Sequence, residues 1–284
     1  MIHQYKSNGY NIVMDVESGA VHVVDDVTYD VIALFEDTET SKIVEQLSDK
    51  YDKADIEEAI SEVNQLKEDG QLFTQDIYQP FIEEFKDKRQ TVVKALCLHI
   101  AHDCNLACKY CFAEEGEYHG RRAMMSFEVG KKALDFLVAN SGSRVNLEVD
   151  FFGGEPLMNW DVVKQLVEYG RSLEEPNHKK FRFTLTTNGV LLNDEIMEYL
   201  NKEMSNVVLS LDGRKEVNDR MRPFRTGKGS YDLIVPKFQK LAESRNQSNY
   251  YVRGTFTRDN LDFSEDVKHF ADLGFKQMSI EPVV

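Results

Sequence analysis

Residues 104–111 read CNLACKYC, so three of the four cysteines of this 284-residue chain stand in one CxxxCxxC run. The run follows an apolar, β-branched segment, 91–100, which predicts a strand. A loop that leaves the end of a strand can bring three thiols toward one point. We therefore expect Cys104, Cys108 and Cys111 to bind a metal centre.

The number of clustered cysteines favours a centre with one open coordination position. A closed 4Fe-4S electron carrier takes four cysteines, and a structural zinc ion takes four ligands. The remaining cysteine, Cys97, lies inside the preceding strand and cannot easily turn back to the loop. Three cysteines thus predict a 4Fe-4S cluster with one iron free for a small ligand. The alternative is a zinc site completed by a histidine, for which His99, His102 and His119 are near enough in sequence.

The charge and cysteine usage limit the compartment and the partners. The chain has 34 basic and 49 acidic residues and a formal net charge of −15, which argues against nucleic acid or an anionic membrane as the main partner. It shows no leader-like start and no apolar run long enough to cross a bilayer, which predicts a cytoplasmic protein. Four cysteines, three of them clustered, fit a reducing compartment better than a disulfide framework.

Residues 1–75 differ in pattern from the rest and predict a small α+β domain. Segments 10–16 and 20–24 read as a hairpin, and 72–73 is a possible short strand. Helical patterns lie between them, at 27–35, 40–51 and 53–69. This outline is typical of a winged-helix-like module, whose unpaired strand edge can add an extended peptide as a further strand. The alternative is a cap that only covers the second domain.

Residues 76–90 read as a charged linker, and strands alternate with helices over residues 91–284. The predicted strands are 92–100, 145–152, 181–186, 206–211, 250–256 and 276–281, and the predicted helices are 126–140, 159–173, 193–203, 230–244 and 264–273. This alternation predicts an α/β fold with a parallel sheet and right-handed crossovers. A doubly wound sheet and a partial barrel both fit the pattern.

Polar motifs follow five successive strands. The cysteine loop follows the first strand, and after it come GGEP (153–156), TTNG (186–189), SLDG (210–213) and TFTRDN (255–260). Each alone is common turn chemistry. Together they lie at carboxyl ends of strands, where α/β folds gather their active sites. The series therefore predicts an active site on this rim.

The CxxxCxxC run with Tyr110 before its third cysteine, followed by GGEP, resembles the radical S-adenosylmethionine (SAM) enzymes over residues 91–284. Residues 1–75 resemble the leader-recognition domain of enzymes that modify ribosomally made peptides. The combination resembles the thioether-forming peptide maturases, in particular those of the cysteine-rich SCIFF peptide. This resemblance implies a partial (β/α)6 TIM-like barrel preceded by the winged-helix-like domain.

The resemblance also implies roles for individual residues. Cys104, Cys108 and Cys111 would hold a 4Fe-4S cluster, whose open iron SAM would chelate through its amino and carboxylate groups. The remaining SAM contacts would be Gly153, Gly154 and Glu155 at the amino group, Tyr110 and Phe112 near the adenine, Thr187, Ser210 and Asp212 toward the ribose or methionine part, and Arg253 at the carboxylate. The rivals of Arg253 are Arg220, Arg222 and Arg225, in a basic loop that otherwise reads as a solvated crossover.

The implied reaction is reductive cleavage of SAM to a 5′-deoxyadenosyl radical, which removes hydrogen from a peptide carbon before a peptide cysteine bonds to it. The implied partners are a ribosomal precursor peptide, held through its leader at the strand edge of residues 1–75, and an electron donor such as flavodoxin or ferredoxin. Two alternatives stay open: a radical SAM maturase of a folded protein, of the sulfatase type, and a zinc-stabilised peptide-binding module without catalysis.

One feature departs from the thioether maturases. These enzymes carry a C-terminal cysteine-rich domain of the SPASM type with auxiliary 4Fe-4S clusters, whereas this chain has no cysteine after Cys111. The last predicted strand also lacks a helix to cover it. We therefore expect the sequence to be a segment of a longer protein, with auxiliary clusters only if such a domain follows.

Overall fold

The computed structural model describes residues 1–88 and 92–283. The chain divides into two compact units, Met1–Gln90 and Thr91–Val284, and each has its own cluster of buried apolar side chains. Within the described residues, no helix is both long and apolar enough to cross a membrane.

The first unit is an antiparallel sheet followed by helices. Its strands pair in the order β1-β2-β3. The elements are β1 (Ile2–Ser7), β2 (Tyr10–Asp15), β3 (Val21–Val24), α1 (Asp26–Leu34), α2 (Thr40–Leu47), α3 (Lys53–Glu68) and α4 (Ile82–Lys88). The sequence predicts β2, β3 and the first three helices but misses β1. That strand is largely exposed and offers little apolar alternation.

The predicted strand at residues 72–73 is wrong. Leu72 is fully buried in the core of the first unit, and the ring of Phe73 stacks on Phe35 at 5.2 Å. The backbone of Phe73 has a φ of 53°, in the left-handed region, which interrupts an extended run. The apolar pair therefore anchors a bend instead of forming a strand.

The second unit is built on a seven-stranded sheet in the order β10-β9-β8-β7-β6-β4-β5. Its strands are β4 (Ala95–His102), β5 (Ala123–Met124), β6 (Asn146–Gly153), β7 (Lys180–Thr187), β8 (Asn206–Ser210), β9 (Tyr250–Phe256) and β10 (Met278–Pro282). Its helices are α5 (Phe127–Ala139), α6 (Trp160–Asn177), α7 (Asp194–Glu203), α8 (Lys215–Met221), α9 (Tyr231–Ser244) and α10 (Phe263–Asp272). The predicted α/β fold with a parallel sheet is confirmed.

The strand order distinguishes the two architectures that fit the sequence. The six parallel strands neighbour one another in chain order, without the reversal that defines a doubly wound sheet. Only β5 departs from this, since it pairs antiparallel with β4. The order is that of a partial barrel. The helix α8 lies in the segment expected as a solvated crossover, so that part of the chain is more structured than the sequence suggests.

Alternation along the strands separates the core from the inner face of the sheet. On β6, Leu147, Val149 and Phe151 are buried and pack in the main core, where Phe151 stacks on Phe183 at 5.6 Å. The residues between them face the other side, because successive side chains of a strand point to opposite faces. Asp150 on that side lines a cavity instead of the core.

Candidate active site

A cavity of about 390 Å³ lies at the carboxyl ends of the parallel strands. A cavity of this size suits a small organic cofactor. It brings together nearly all the site residues that the sequence predicts: Cys104, Cys108, Cys111, Tyr110, Phe112, Gly153, Gly154, Glu155, Thr187, Ser210 and Arg253. Asp212 is absent from its lining and lies behind it.

The cysteine loop is held in place by backbone hydrogen bonds from the segment after α8. The N–H of Ala107 donates to Pro223 O at 2.8 Å, and the N–H of Lys109 donates to Met221 O at 2.9 Å. These two bonds fix the loop between its first and third cysteines. The loop therefore presents its thiols from a defined backbone.

The three thiols are free and line the same cavity. Burial raises the pKa of Cys104 to about 12 and raises the pKa of Cys108, whereas the nearby Arg222 charge acts in the opposite direction on both. Without metal the thiols of Cys104 and Cys108 stay protonated at neutral pH, and iron would replace their protons on binding. Three such donors with no fourth cysteine beside them fit a 4Fe-4S cluster with one open iron.

The glycine pair lets the GGEP segment lie against the backbone that precedes the cysteine loop. The N–H of Gly154 donates to Ala101 O at 2.7 Å, and the N–H of Glu155 donates to Asp103 O at 2.9 Å. A Cβ on Gly154 would stand 2.0 Å from Asp103 O, and Gly153 has a φ of 117°. Only glycine permits this approach, so the pair joins the ends of β4 and β6 at the cavity.

The carboxylate of Glu155 is buried and mostly committed to protein donors. Its Oε1 accepts hydrogen bonds from Leu157 N at 3.0 Å and Thr187 Oγ1 at 2.8 Å, and its Oε2 accepts one from Asn188 N at 2.8 Å. Each carboxylate oxygen has two lone pairs. One acceptor position on Oε2 thus remains for a donor in the cavity, while the hydroxyl of Thr187 is taken up by Glu155.

Tyr110, Asp212 and Arg222 form a cluster in the cavity wall, where Tyr110 and Arg222 line the cavity and the fully buried Asp212 lies behind them. The hydroxyl of Tyr110 lies 2.9 and 2.8 Å from the two carboxylate oxygens of Asp212, and Arg222 Nη1 donates to that hydroxyl at 2.5 Å. Asp212 is fully buried and also accepts from Thr255 N at 3.2 Å. Burial raises the pKa of Tyr110, so its hydroxyl stays protonated and donates. Asp212 thus differs from the expectation: it anchors Tyr110 and does not reach the cavity.

Of the four candidate arginines for the SAM carboxylate, the cavity lining includes Arg222 and Arg253, and these two are not equivalent. Arg253 is paired with Glu281 at 2.5 Å and is partly exposed. Arg222 is buried and lines the cavity, and its Nε has no partner within the part of the chain that the structure describes. A buried, unpaired N–H of a guanidinium fits a carboxylate ligand. The sequence names Arg222 only as a rival, because nothing in the basic loop marks which arginine is buried.

Asn188 is a further residue that sequence reasoning misses. Its Nδ2 donates to Asn105 Oδ1 at 2.7 Å and lies 3.6 Å from Cys104 Sγ. It stands in the TTNG motif, in which only Thr187 is predicted to contact SAM. Because asparagine before glycine is common turn chemistry, the motif alone does not reveal this contact with a cysteine.

The histidines considered as zinc ligands have other contacts. His99 and His102 pack on the ring of Tyr118 at 4.6 and 4.9 Å, and His119 Nδ1 lies 2.8 Å from Glu114 Oε1. Among residues 1–88 and 92–283, no three or more His, Cys, Asp and Glu side chains are placed to share one metal ion.

A profile of the Radical SAM superfamily matches residues 98–279. The chain therefore belongs to the radical SAM superfamily. Membership implies a 4Fe-4S cluster and SAM as cofactors, and the three thiols, the glycine pair and the unpaired Nε of Arg222 fit both groups.

Several known proteins are similar to this chain. The protein MJ0907 of Methanocaldococcus jannaschii is 30% identical over 190 residues, a match that covers 66% of this chain and 62% of that protein. The radical SAM cyclopropyl synthase TigE of Paramaledivibacter caminithermalis is 27% identical, with 63% of this chain and 39% of TigE covered. The chain thus spans less than two thirds of either relative.

A solved structure extends the likeness to the fold. The structure of native anSMEcpe with bound AdoMet and Cp18Cys peptide matches with a TM-score of 0.59 and 22% identity, and the match covers 68% of this chain and 51% of that chain. At this identity the likeness concerns the fold alone. It agrees with the partial barrel of the second unit.

Proposed function

We propose that this chain is the radical SAM and leader-recognition part of a maturase that forms thioether bonds in a ribosomally made, cysteine-rich peptide. One observation carries the proposal: a single chain combines a radical SAM cavity with a small unit that has an exposed apolar strand edge. The cavity supports the chemistry, and the strand edge supports the choice of a peptide as substrate.

In this proposal each part of the cavity has a separate task. Cys104, Cys108 and Cys111 hold the cluster, and the glycine pair with Oε2 of Glu155 receives the SAM amino group. Arg222 takes the carboxylate, in place of Arg253. Tyr110 and Phe112 provide apolar ring surface for the adenine, and Ser210 lies at the end of β8 toward the ribose. When bound, the cluster and SAM supply a 5′-deoxyadenosyl radical that removes hydrogen from a substrate carbon.

The protein's own contribution is to position SAM and keep water away from the reacting atoms. The buried cluster of Tyr110, Asp212 and Arg222 fixes one wall of the cavity by charge-assisted hydrogen bonds. The exposed ring of Phe112 stands at the cavity and packs edge-on against Tyr118 at 5.9 Å. These groups orient the cofactor without taking part in bond making.

The strand β3 is the better candidate for leader binding. Among the described strands it pairs with β2 alone, and an edge strand presents unpaired backbone N–H and C=O groups on its other side. Val21 and Val23 are 59% and 65% exposed, and the strand contains no lysine or proline to discourage pairing. The opposite edge, β1, carries Lys6. An extended peptide added to β3 would gain backbone hydrogen bonds and apolar contacts.

The likeness to a fold that holds a peptide together with AdoMet supports a peptide substrate. The cluster also requires a one-electron donor, for which flavodoxin or ferredoxin is the proposed partner. The acidic net charge of −15 supports no role for nucleic acid. Auxiliary clusters enter the proposal only through a further cysteine-rich domain.

The test is anaerobic reconstitution with iron and sulfide, followed by electron paramagnetic resonance of the reduced protein with and without SAM. We expect a 4Fe-4S signal that changes on SAM addition and is lost in Cys108→Ala. Incubation with cysteine-rich precursor peptides should then give a mass loss of two hydrogens per thioether. A protein that binds one zinc and shows no SAM-dependent signal overturns the proposal. A protein that cleaves SAM but modifies only folded sulfatases replaces it with the sulfatase-type alternative.

A further inference from the structure

A second cavity, of about 510 Å³, lies at the amino-terminal halves of the same parallel strands. Three strands contribute to both cavities through residues two positions apart. Such residues point to the same face of a sheet and are separated by roughly 7 Å. The second cavity, called here the lower cavity, therefore lies one tier below the first on the same face. The pairs, given with the upper residue first, are Phe152 and Asp150, Thr186 and Thr184, and Arg253 and Tyr251.

Asp150 stands out in the lower cavity. Its Oδ1 is buried and has no hydrogen-bond partner within the described part of the chain. Burial raises the pKa of Asp150 to about 6, against the opposing charge of Arg253. A buried acceptor without a protein partner is costly, so native structures satisfy it with ordered water, an ion or a ligand, or use it in a reaction. Rotation about χ2 can turn either carboxylate oxygen toward the cavity.

The lack of a partner is specific to Asp150, because another carboxylate that lines the same cavity is paired. Glu148 also lines the lower cavity, but it pairs with Lys94 at 3.3 Å. Cys97 lies opposite Asp150 in the register of β4 and β6, and both burial and the Asp150 charge raise its thiol pKa. Cys97 is thus a protonated neighbour and gives Asp150 no positive charge.

We propose that the lower cavity is the subsite for the cysteine side chain of the substrate peptide, and that Asp150 accepts the proton of its thiol. This inference rests on the proposed function. In the step, the S–H bond breaks, the proton moves to the Asp150 carboxylate and the electron pair stays on sulfur as a thiolate. Bonding of this thiolate to the substrate carbon radical releases one electron, which a one-electron oxidant of the iron–sulfur class has to accept.

Other charged and titratable groups face Asp150, and their effects on a pH profile have to be distinguished from the titration of Asp150. They are Cys97 and His99 from β4, Glu148 from β6, Arg182 from β7, Tyr251 and Arg253 from β9, and Glu281 from β10. Burial and His102 lower the pKa of His99, so this histidine also titrates on the acid side of neutrality. A substitution at Asp150 distinguishes the titration of Asp150 from that of His99, because it removes only the carboxylate.

The experiment compares Asp150→Asn with the control variant Asp161→Asn, both reconstituted in the full chain. Asp161 pairs with Lys164 at 3.1 Å and lines neither cavity. We expect Asp150→Asn to keep the SAM-dependent paramagnetic signal and to form 5′-deoxyadenosine, but to lose thioether product by a factor of about 100 or more. In the unsubstituted protein, product formation should fall as the pH drops below about 6, and this fall should be absent from the residual activity of Asp150→Asn. Asp161→Asn should behave as the unsubstituted protein.

Three outcomes overturn the inference. If Asp150→Asn forms product at the original rate and with the original pH profile, Asp150 is not the proton acceptor. If it loses the SAM-dependent signal, its role is structural. If the unsubstituted protein cleaves SAM but forms no thioether, the proposed function fails and the inference fails with it. The first two outcomes leave the proposed function standing, so the two failures are distinguishable.

Discussion

The Nη1 of Arg222 lies 2.5 Å from the hydroxyl of Tyr110, and that hydroxyl lies within 2.9 Å of both oxygens of Asp212. The three residues come from the cysteine loop, the end of β8 and the segment after α8. Their side chains, none of which is well exposed, therefore connect the metal-binding loop to the sheet. Removal of a single hydrogen-bonding atom from this cluster should therefore weaken the attachment of the cysteine loop to the sheet.

Replacement of Tyr110 by phenylalanine should destabilise the second unit without changing the ring that lines the cavity. It removes one hydroxyl and leaves Asp212 and Arg222 each short of a buried partner, which costs about 1–3 kcal/mol. The chain has a single tryptophan, Trp160, which packs on Tyr199 in the second unit. Urea unfolding of the metal-free protein, followed by Trp160 fluorescence, should show the lower midpoint.

The matched control is Tyr118→Phe. The hydroxyl of Tyr118 is buried and has no hydrogen-bond partner among the described residues. Its removal should leave the free energy of unfolding unchanged or raise it, because no bond is lost and an unsatisfied group disappears. Equal destabilisation by both substitutions would contradict the role assigned to the Tyr110 hydroxyl.

Arg222 should also raise the reduction potential of the cluster. Burial raises the thiol pKa of both Cys104 and Cys108, and the charge of Arg222 opposes this rise at both, so its field reaches the proposed ligands. A nearby positive charge favours the more negative, reduced cluster. We expect Arg222→Met to lower the reduced-to-oxidised ratio about tenfold at a fixed potential, which is about 59 mV for one electron. Arg222→Lys should lie between the two.

A redox titration followed by electron paramagnetic resonance measures this shift. The control is Arg220→Met, since Arg220 is exposed and donates to the backbone oxygen of Asp259. That variant should keep the original potential. A potential that is unchanged in Arg222→Met, with the cluster fully loaded, would remove the electrostatic role of Arg222.

Gly154→Ala should impair cluster loading by a steric route. The new Cβ would lie 2.0 Å from Asp103 O, so either the GGEP segment or the start of the cysteine loop has to move. Such overpacking costs on the order of 1–3 kcal/mol. We expect less iron bound per chain after reconstitution. Gly120→Ala is the control, because the nearest atom to its Cβ is 3.3 Å away; similar iron loss in both would rule out the contact with Asp103 as the cause.

The strand edge of the first unit can be tested independently of any cluster. Val23→Lys places a charge on the exposed edge strand β3, which discourages strand addition. We expect it to weaken leader binding at least tenfold, a change of about 1.4 kcal/mol, in titration calorimetry with the metal-free chain. Tyr5→Lys alters the opposite edge, where Tyr5 is 40% exposed, and should leave the affinity intact. Loss of binding in Tyr5→Lys alone would move the leader site to β1.

The sequence predicts the parallel sheet well because β-branched strands and capped helices alternate over nearly 200 residues. Four polar residues stand where helix caps are predicted, and two of them, Ser126 and Asn193, cap their helices through bonds to Val129 N and Ile196 N. The other two predictions are wrong: Asn159 makes no side-chain cap bond, and Ser264 lies inside its helix. Motifs at strand ends likewise identify one rim, because the topology itself collects the carboxyl ends of parallel strands. Local patterns of this kind need no knowledge of tertiary contacts.

The features of the site that the sequence does not predict depend on burial and on pairing between segments that are distant in the chain. Whether Arg222 or Arg253 carries an unpaired N–H depends on Asp212 and Glu281, which lie elsewhere in the chain. The burial of Asp212 likewise follows from packing against Thr255 and Asn218, not from its own motif. Asp150 looks like any polar residue of an alternating strand until the inner face of the sheet is assembled. Such properties are not encoded in the spacing of residues.

Asp150 should destabilise the protein at neutral pH, and its removal should be stabilising. An acid whose folded pKa is raised above its unfolded value opposes folding above the folded pKa, and this penalty is absent below the unfolded pKa. For Asp150 the folded value is about 6 and the ordinary value is 3.8, so the penalty grows between those pH values. Because the group is partly exposed, we expect Asp150→Asn to raise the free energy of unfolding by about 1–2 kcal/mol at pH 7.5.

Urea unfolding of the metal-free chain, followed by Trp160 fluorescence at several pH values, measures the effect. The difference between Asp150→Asn and the unsubstituted protein should shrink as the pH falls from 7.5 toward 4. Glu148→Gln, whose parent carboxylate is paired with Lys94, should show no such gain. If Asp150→Asn stabilises the protein and also abolishes product formation, Asp150 is a residue whose catalytic role costs stability. If Asp150→Asn instead lowers the unfolding midpoint at every pH, the carboxylate supports the fold and its unpaired oxygen has another explanation.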